Sequence, residues 1–179
     1  IPPRNIAALR AAAERGAAVV ISTGRAWSQV RDAAAQIGCV RYAVTANGAS
    51  ALDLESGEWL WHIGIPETQR RDIVSVLLAR GLPVEVYAGG DSYIQRDLEE
   101  QVVASAPSVE YGAVLRRCCR FVADLNAALG GLEVEKIHIF SVPSRQRAAL
   151  VEELRAFGPV DVDSAFGANM ELIAPGGNK

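Results

Sequence analysis

Hydrophobic and polar positions alternate with helical and then strand-like spacing along the first part of the chain. Residues 4–15 carry apolar side chains at helical spacing, and Gly16 marks the end of this predicted helix. The continuous apolar segment AAVVIS, residues 17–22, is typical of a strand buried on both faces. A second amphipathic helix over residues 26–37 and a second apolar strand, YAVTA at residues 42–46, follow. This order indicates a parallel sheet covered by helices.

Beyond residue 49 the pattern changes to short strands, turns and helices. The predicted elements are two strands joined by a turn within residues 50–65, a helix near 67–80, a strand pair within 83–96, a short helix at 97–105, a strand at 134–142, a helix at 145–157 and strands near 159–163 and 168–174. Residues 107–130 have no clear pattern, and Ser144 is a candidate cap for the helix that follows it.

The change of pattern predicts two domains, one inserted into the other. We expect an α/β fold whose core is a partial, Rossmann-like parallel sheet, with an inserted domain of mixed α and β structure. The predicted boundaries are residues 1–65 for the first part of the core, 66–167 for the inserted domain and 168–179 for the segment that returns to the core.

Composition narrows the possible functions. Half of the 179 residues are hydrophobic, which is enough for a substantial core. The formal net charge is −3 and the basic residues are dispersed, so we expect neither a nucleic-acid partner nor a membrane partner. The three cysteines, two of them the neighbours Cys118 and Cys119, do not form the spaced, even set of a disulfide scaffold. We therefore expect a cytoplasmic protein.

Two clusters of polar residues follow the two predicted parallel strands. Ligands of such sheets gather at the carboxyl ends of the strands, where free backbone N–H groups and hydroxyls suit a phosphate. Thr23 offers a hydroxyl, Gly24 permits close approach of the backbone, and Arg25 offers a planar, charged guanidinium group. The candidate phosphate or substrate ligands are Ser22, Thr23, Gly24, Arg25, Asn47 and Gly48.

Each of these residues also has a purely structural interpretation. Thr23 can cap the following helix, Arg25 can be a solvated surface charge, and Asn47-Gly48 is a common turn dipeptide. The chain contains only two lysines, Lys136 and Lys179, whereas arginine supplies the other sixteen positive charges. A lysine is therefore a candidate for a specific role, although a surface position is the simpler interpretation of either one.

Taken together, the motifs resemble the haloacid dehalogenase-like phosphatases, specifically the Cof-type subclass with a large α/β cap domain. The segment VVISTGRAW resembles the second family motif, and VTANGAS resembles the strand end of the family that carries Asn-Gly. The segment VEVYAGGDSYIQ resembles a cap hairpin, and NMELIAPGGNK resembles the approach to the third motif. The resemblance implies that Thr23 and Lys179 are catalytic, holding and neutralising the phosphoryl group. It also implies that Gly24, Arg25, Asn47 and Gly48 lie beside the phosphate.

The sequence departs from the family in the residues that perform the attack. The resemblance implies an aspartyl-phosphate intermediate and a Mg²⁺ cofactor, yet the family's Asp-x-Asp-Gly-Thr motif does not occur here. The acidic fourth motif, which helps to hold Mg²⁺, belongs after Lys179, so we expect no metal ligand within this chain. We expect both missing motifs in a longer parent protein, and we expect the present chain to be catalytically incomplete.

The expected activity is hydrolysis of small phosphorylated metabolites, sugar phosphates in particular. Two alternatives remain open from the sequence: a non-catalytic domain that binds phosphorylated ligands, and a phosphomutase of similar architecture.

In the cap, Asp91, Tyr93 and Arg96 are candidates for substrate selection, although an exposed loop is the simpler interpretation. We interpret His62 and His138 as structural residues. The sequence leaves the oligomeric state open.

Overall fold

The computed structural model describes residues 1–164 and 168–177. The first part of the chain forms a four-stranded sheet in the order β1-β2-β3-β4. Its elements are α1 (Pro3–Glu14), β1 (Val19–Ser22), α2 (Trp27–Ile37), β2 (Val40–Thr45), β3 (Ser50–Asp53) and β4 (Trp59–His62). Strands β1 and β2 are parallel, whereas β2, β3 and β4 pair in antiparallel fashion. The helix–strand alternation predicted for this region is therefore present.

The second part of the chain forms a six-stranded sheet in the order β7-β6-β5-β8-β10-β9. Its strands are β5 (Val84–Ala88), β6 (Asp91–Gln95), β7 (Cys119–Val122), β8 (Val134–Ile139), β9 (Asp161–Asp163) and β10 (Met170–Ile173). The associated helices are α3 (Glu67–Ala79), α4 (Glu99–Ala104), α5 (Val109–Cys118), α6 (Leu125–Ala128) and α7 (Ser144–Arg155). Only β6 and β7 form a parallel pair among the strands described in this sheet. The mixed α/β fold class is thus confirmed.

The six-stranded sheet has one apolar and one polar face, because successive side chains of a strand point to opposite sides. On the apolar face, Val86, Ile137 and Leu172 belong to one buried cluster together with Leu77 of α3 and Leu150 of α7. The opposite face carries the polar side chains of β5, β8 and β10: Glu85, Tyr87, Lys136, His138 and Glu171. All five are at least nine-tenths buried. The polar face therefore lies inside the molecule.

The end of the predicted inserted domain differs from the prediction. Strand β10 pairs with β8 and β9, so the six-stranded sheet extends past the boundary that the sequence suggested between residues 167 and 168. The apolar residues Met170 and Leu172 complete the buried cluster of this sheet, which is the physical reason for the pairing. We propose that any return to the core begins after Ile173.

Two details of the helices also differ from expectation. Ser144 is the first residue of α7 and Pro143 precedes it as the N-cap, with no side-chain hydrogen bond at the cap. The unpatterned residues 107–130 contain α5, β7 and α6, of which β7 and α6 have only four residues each and are too short for a clear period. None of the described helices is both long enough and apolar enough to cross a membrane.

The apolar face makes a quantitative prediction about stability. Leu77 is 0% exposed, and the change Leu77→Ala should lower the free energy of unfolding by about 2–5 kcal/mol because it leaves a cavity. Leu60→Ala is the matched control, since Leu60 is 51% exposed and should cost less than about 1 kcal/mol. Urea unfolding of the two variants measures the difference. Equal losses would contradict the assignment of Leu77 to the main core.

Candidate functional site

A cavity of about 630 Å³ lies between the carboxyl end of β1 and the polar face of the six-stranded sheet. Thr23, Gly24 and Arg25, which directly follow β1, form one side of it. Its other walls come from the six-stranded sheet and from residues 105–111, and the sheet contributes Tyr87, Lys136, His138, Phe140 and Glu171. The predicted strand-end motif thus opens into a partly open cavity lined by both polar and apolar groups.

Backbone hydrogen bonds hold the two predicted strand ends together. The Thr23 N–H donates to the Val44 carbonyl at 3.0 Å, and the Asn47 N–H donates to the Thr23 carbonyl at 3.2 Å. The Ala46 N–H donates to the Arg25 carbonyl at 2.9 Å. The Thr23 hydroxyl accepts from the Arg25 N–H at 3.2 Å, which forms a tight local turn. Thr23 does not cap α2, whose N-cap is Ala26 without a side-chain hydrogen bond.

Gly24 permits an unusually close approach between the two strand ends. A Cβ atom at this position would lie 2.3 Å from Oδ1 of Asn47 and 3.7 Å from Nζ of Lys136. The first distance is far inside van der Waals contact, so any larger residue must displace the Asn47 amide. The glycine is therefore required by packing against Asn47.

Asn47 reaches the six-stranded sheet from a left-handed backbone conformation. Its φ is 63°, and the preceding Ala46 has a φ of 49°. Asparagine tolerates this region better than most residues, whereas alanine does not favour it. The Asn47 Nδ2 donates to Oε2 of Glu171 at 2.6 Å. The unusual backbone therefore directs one amide to the opposite wall of the site.

Lys136 places a buried positive charge at the centre of this arrangement. Its side chain is 2% exposed, and Nζ lies 3.2 Å from Oε1 of Glu171. Nζ also donates to the Gly24 carbonyl at 2.5 Å and lies 4.5 Å from the centre of the Tyr87 ring. The simpler interpretation of Lys136 as a surface lysine is wrong. The alternation of side chains in the strand VEKIHIF is the sequence feature that indicates this position, because it places Lys136 and His138 on one strand face.

Arg25 supplies a second positive charge at the exposed side of the cavity. Its guanidinium lies 5.0 Å from the centre of the Tyr111 ring, within the range of a cation–π contact. Burial, followed by the nearby charge of Glu85, raises the pKa of Tyr111 well above its ordinary value. The phenol is therefore neutral and can donate a hydrogen bond into the cavity.

The other predicted ligands occupy different surroundings. Ser22 is exposed and is not among the described cavity-lining residues. Gly48 is buried, and its carbonyl accepts from Nε1 of Trp61 at 3.0 Å. Lys179 lies outside the described residues. The roles of all three stay predictions.

The cap residues selected from the sequence lie away from the cavity. Asp91 pairs with Arg120 at 2.6 Å, and the Arg120 guanidinium lies 5.8 Å from the centre of the Tyr93 ring. The Arg96 guanidinium donates to the Phe121 carbonyl at 2.7 Å. His138 lines the cavity instead, whereas the other histidine, His62, lies 3.1 Å from the buried carboxylate of Glu135.

Another buried carboxylate, that of Glu85, lies behind the cavity wall. Its Oε2 is 3.3 Å from Nδ1 of His138 and accepts from the Tyr87 hydroxyl at 3.3 Å. Its Oε1 accepts from Nε2 of Gln29 and from the Ser92 hydroxyl, each at 2.5 Å. Burial by itself raises the pKa of Glu85, but His138, Ser92 and the charge of Lys136 outweigh it and hold the pKa below its ordinary value of 4.5. Glu85 is therefore ionised.

Mg²⁺ is held by oxygen ligands, usually carboxylates and water. Residues 1–164 and 168–177 contain no group of three or more histidine, cysteine, aspartate or glutamate side chains that could hold a metal ion. This part of the chain therefore does not fit a magnesium centre of its own, and no chemical step is assigned through one.

The sequence model of the haloacid dehalogenase-like hydrolase family matches residues 1–179. The chain therefore belongs to the haloacid dehalogenase-like hydrolases. A search of curated proteins found no match.

Solved structures of similar fold include several haloacid dehalogenase-like proteins. One from Bacteroides thetaiotaomicron has 20% sequence identity and a TM-score of 0.78, with 98% of this chain and 65% of that chain covered. One from B. subtilis has 23% identity and a TM-score of 0.74, with 97% and 67% covered. A sugar phosphatase of subclass IIB has 18% identity and a TM-score of 0.72, with 99% and 64% covered. The chain thus spans less than two thirds of the first and third of these proteins.

The close contact at Gly24 predicts the effect of one added methyl group. If phosphate binds beside Thr23 and Gly24 as the sequence predicts, Gly24→Ala should displace the Asn47 amide and weaken binding of inorganic phosphate by about tenfold, the equivalent of one hydrogen bond to a charged group. Isothermal titration calorimetry measures this affinity. Gly64→Ala is the matched control, because its new Cβ would have its nearest neighbour at an ordinary 3.4 Å. An unchanged affinity in Gly24→Ala would contradict the predicted effect.

The lowered pKa of Glu85 predicts a specific pH dependence of stability. Because the folded-state pKa is below 4.5, the stabilisation from ionised Glu85 is fully present above that value and is lost as the pH falls through the folded-state pKa. The difference in free energy of unfolding between wild type and Glu85→Gln should therefore narrow in acid. Urea unfolding from neutral pH downward measures it. The exposed Glu133→Gln controls for removal of one negative charge. A difference that widens in acid would contradict the pKa direction.

Proposed function

We propose that this chain is part of an enzyme that hydrolyses phosphate monoesters of small metabolites, with sugar phosphates as the substrate class. The observation that carries the proposal is the meeting of Thr23, Gly24 and Arg25 with Lys136 at one cavity. A hydroxyl, a strand-end backbone and two cations are the groups that bind a phosphoryl dianion.

Each of these groups has a distinct part in the proposed site. The Thr23 hydroxyl and the Gly24 N–H hold phosphoryl oxygens, and Arg25 adds a guanidinium from the exposed side. Lys136 contributes positive potential from inside the six-stranded sheet, although its Nζ also binds Glu171 and the Gly24 carbonyl. Phosphoryl transfer depends chiefly on positioning and on charge stabilisation, which such a set provides. Lys179 is proposed as a further ammonium group, and Ser22 and Gly48 as flanking positions.

Family membership supports the reaction type, and a subclass IIB sugar phosphatase with the same fold supports the substrate class. The cavity volume of about 630 Å³ is within the range of small-molecule sites. Its walls are mixed and include the hydroxyl-bearing residues Ser105, Ser108 and Tyr111 as well as the aromatic rings of Tyr87 and Phe140. These features suit a single phosphorylated sugar.

The attacking group of the proposed reaction is not assigned to any residue of this chain. The family resemblance implies an aspartyl-phosphate intermediate and Mg²⁺, which supplies charge neutralisation at the phosphoryl group when it is bound. The Asp-x-Asp-Gly-Thr motif that provides the nucleophile is absent from the 179 residues. We therefore propose that these residues bind and orient the substrate, and that a longer protein supplies the attack.

A direct test compares this chain with a longer protein that carries an upstream Asp-x-Asp motif. The longer protein should release phosphate from hexose phosphates in the presence of Mg²⁺, and the 179-residue chain should bind phosphate without turnover. In the longer protein, Thr23→Ala and Arg25→Ala should each lower kcat by about 100-fold or more, because each removes a group that stabilises the transition state. Phosphate release measured with a coupled assay gives kcat.

Arg117→Ala is the matched control for Arg25→Ala, because Arg117 is an exposed arginine on α5 that does not line the cavity. Its kcat should equal that of the wild type. Phosphate binding without turnover in the longer protein would favour the non-catalytic binding domain. Isomerised sugar phosphate without free phosphate would favour the phosphomutase.

A further inference from the structure

The row of polar side chains across the six-stranded sheet contains a histidine whose two nitrogens have different partners. His138 on β8 is directly opposite Glu85 on β5 and Glu171 on β10. Its Nδ1 lies 3.3 Å from Oε2 of Glu85, and its Nε2 lies 3.4 Å from Nδ2 of Asn169. The imidazole lines the cavity, although only 8% of the residue is exposed. Nδ1 is thus held by Glu85, and Nε2 lies beside Asn169, which also lines the cavity.

Glu85 fixes the orientation of this ring. An ionised carboxylate only accepts hydrogen bonds, so Nδ1 of His138 carries the hydrogen of the contact with Glu85. The carboxylate is itself held by Gln29 and Ser92. Ring flipping would leave a buried carboxylate without this donor, which costs free energy. Glu85 is therefore a positioning residue for the Nε2 atom of His138.

Asn169 stands beside Nε2 and is oriented by its own contacts. Its Oδ1 accepts from the Ser164 hydroxyl at 3.3 Å, which directs Nδ2 toward His138. The ring of Phe140, 4.3 Å from the imidazole centre to centre, adds an apolar surface at the same end of the cavity. An acceptor (Nε2 of His138), a donor (Nδ2 of Asn169) and the aromatic face of Phe140 are therefore adjacent. A carbon-bound hydroxyl that replaces the 3.4 Å contact between Nδ2 and Nε2 can donate to Nε2 and accept from Nδ2 while its carbon packs on the Phe140 ring.

The spacing and the charges of the strand define the ligand further. Lys136 and His138 lie two residues apart on one face of β8, which corresponds to about 7 Å along the strand. This distance matches a single phosphorylated sugar or polyol with its phosphate at the Lys136 end. Glu85 and Glu171 flank His138, so a second anionic group of the ligand is disfavoured there.

We propose that His138 binds a hydroxyl group of the non-phosphate part of the ligand and so makes the site selective for neutral, phosphorylated sugars or polyols. This inference rests on the proposed function, because it takes the phosphate to lie near Thr23, Arg25 and Lys136. It identifies His138 as a specificity-determining residue. This role differs from the structural one expected for His138 from the sequence.

Calorimetric titration of the 179-residue chain with inorganic phosphate, phenyl phosphate and glucose 6-phosphate tests this inference. The wild type should bind glucose 6-phosphate more tightly than the other two probes. His138→Leu should weaken glucose 6-phosphate binding by about tenfold, the equivalent of one hydrogen bond with its buried partner, and should leave the other two affinities unchanged. A purely structural role of His138 would instead weaken all three probes together, which would overturn the proposal.

Two further variants make the result independent of folding defects. His62→Leu is the matched control: it removes another histidine paired with a buried carboxylate, but His62 does not line the cavity. It should leave the three affinities unchanged. His138→Gln keeps a polar side chain that cannot bind Glu85 and the ligand at once, and it should give a loss smaller than that of His138→Leu. Unchanged glucose 6-phosphate binding in His138→Gln and in a folded His138→Leu would overturn the proposal.

The remaining outcomes separate this inference from the proposed function. If the wild type binds none of the three probes, the phosphate site itself is wrong and both proposals fail. If it binds inorganic phosphate and binds glucose 6-phosphate no more tightly, only the role of His138 fails. Where the wild type does bind glucose 6-phosphate more tightly, hexose phosphates that each lack one hydroxyl identify the group concerned, because the affinity lost with that hydroxyl in the wild type should not be lost in His138→Leu.

Discussion

The buried ion pair between Lys136 and Glu171 connects the two sheets of this protein. Both residues lie on the six-stranded sheet, yet each also forms a hydrogen bond with a strand end of the four-stranded sheet, Lys136 with the Gly24 carbonyl and Glu171 with the Asn47 amide. Burying two charges costs several kcal/mol each unless further hydrogen bonds satisfy them. The carbonyl of Gly24 and the amide of Asn47 supply those bonds. The ion pair is therefore stable only when the strand ends are docked against the six-stranded sheet.

The same constraint explains the unusual backbone around residue 47. Asn47 must deliver its Nδ2 to Glu171 while its N–H binds the Thr23 carbonyl, and the left-handed conformation meets both needs. Consecutive left-handed residues that are not glycine persist only where surrounding contacts compensate for their cost. Here the compensation is a hydrogen bond to a buried carboxylate. Local strain thus serves to assemble one wall of the cavity.

Sequence periodicity predicted most helices and strands, because each of those elements depends on its own apolar spacing. It also predicted that Thr23, Gly24 and Arg25 lie at the carboxyl end of β1, a position that follows from chain order in a parallel sheet and that lines the cavity. It did not identify Lys136 or His138 as cavity residues. Alternation in β8 shows that these two side chains share a face, but the partner of Lys136 at Gly24 is 112 residues away. A single sequence does not contain that long-range contact.

Glu85 links the arrangement of the fold to the chemistry of the cavity. Gln29, which donates to Glu85, belongs to α2 beside the four-stranded sheet, whereas His138 belongs to β8. The docking of α2 therefore helps to keep the carboxylate in place, and the carboxylate in turn orients the imidazole. The proposed phosphate binding by the strand ends and the proposed hydroxyl binding by His138 thus require the same relative position of the two sheets. A ligand that engages both ends of the cavity favours this docked arrangement over any other, since only there are both sets of contacts complete.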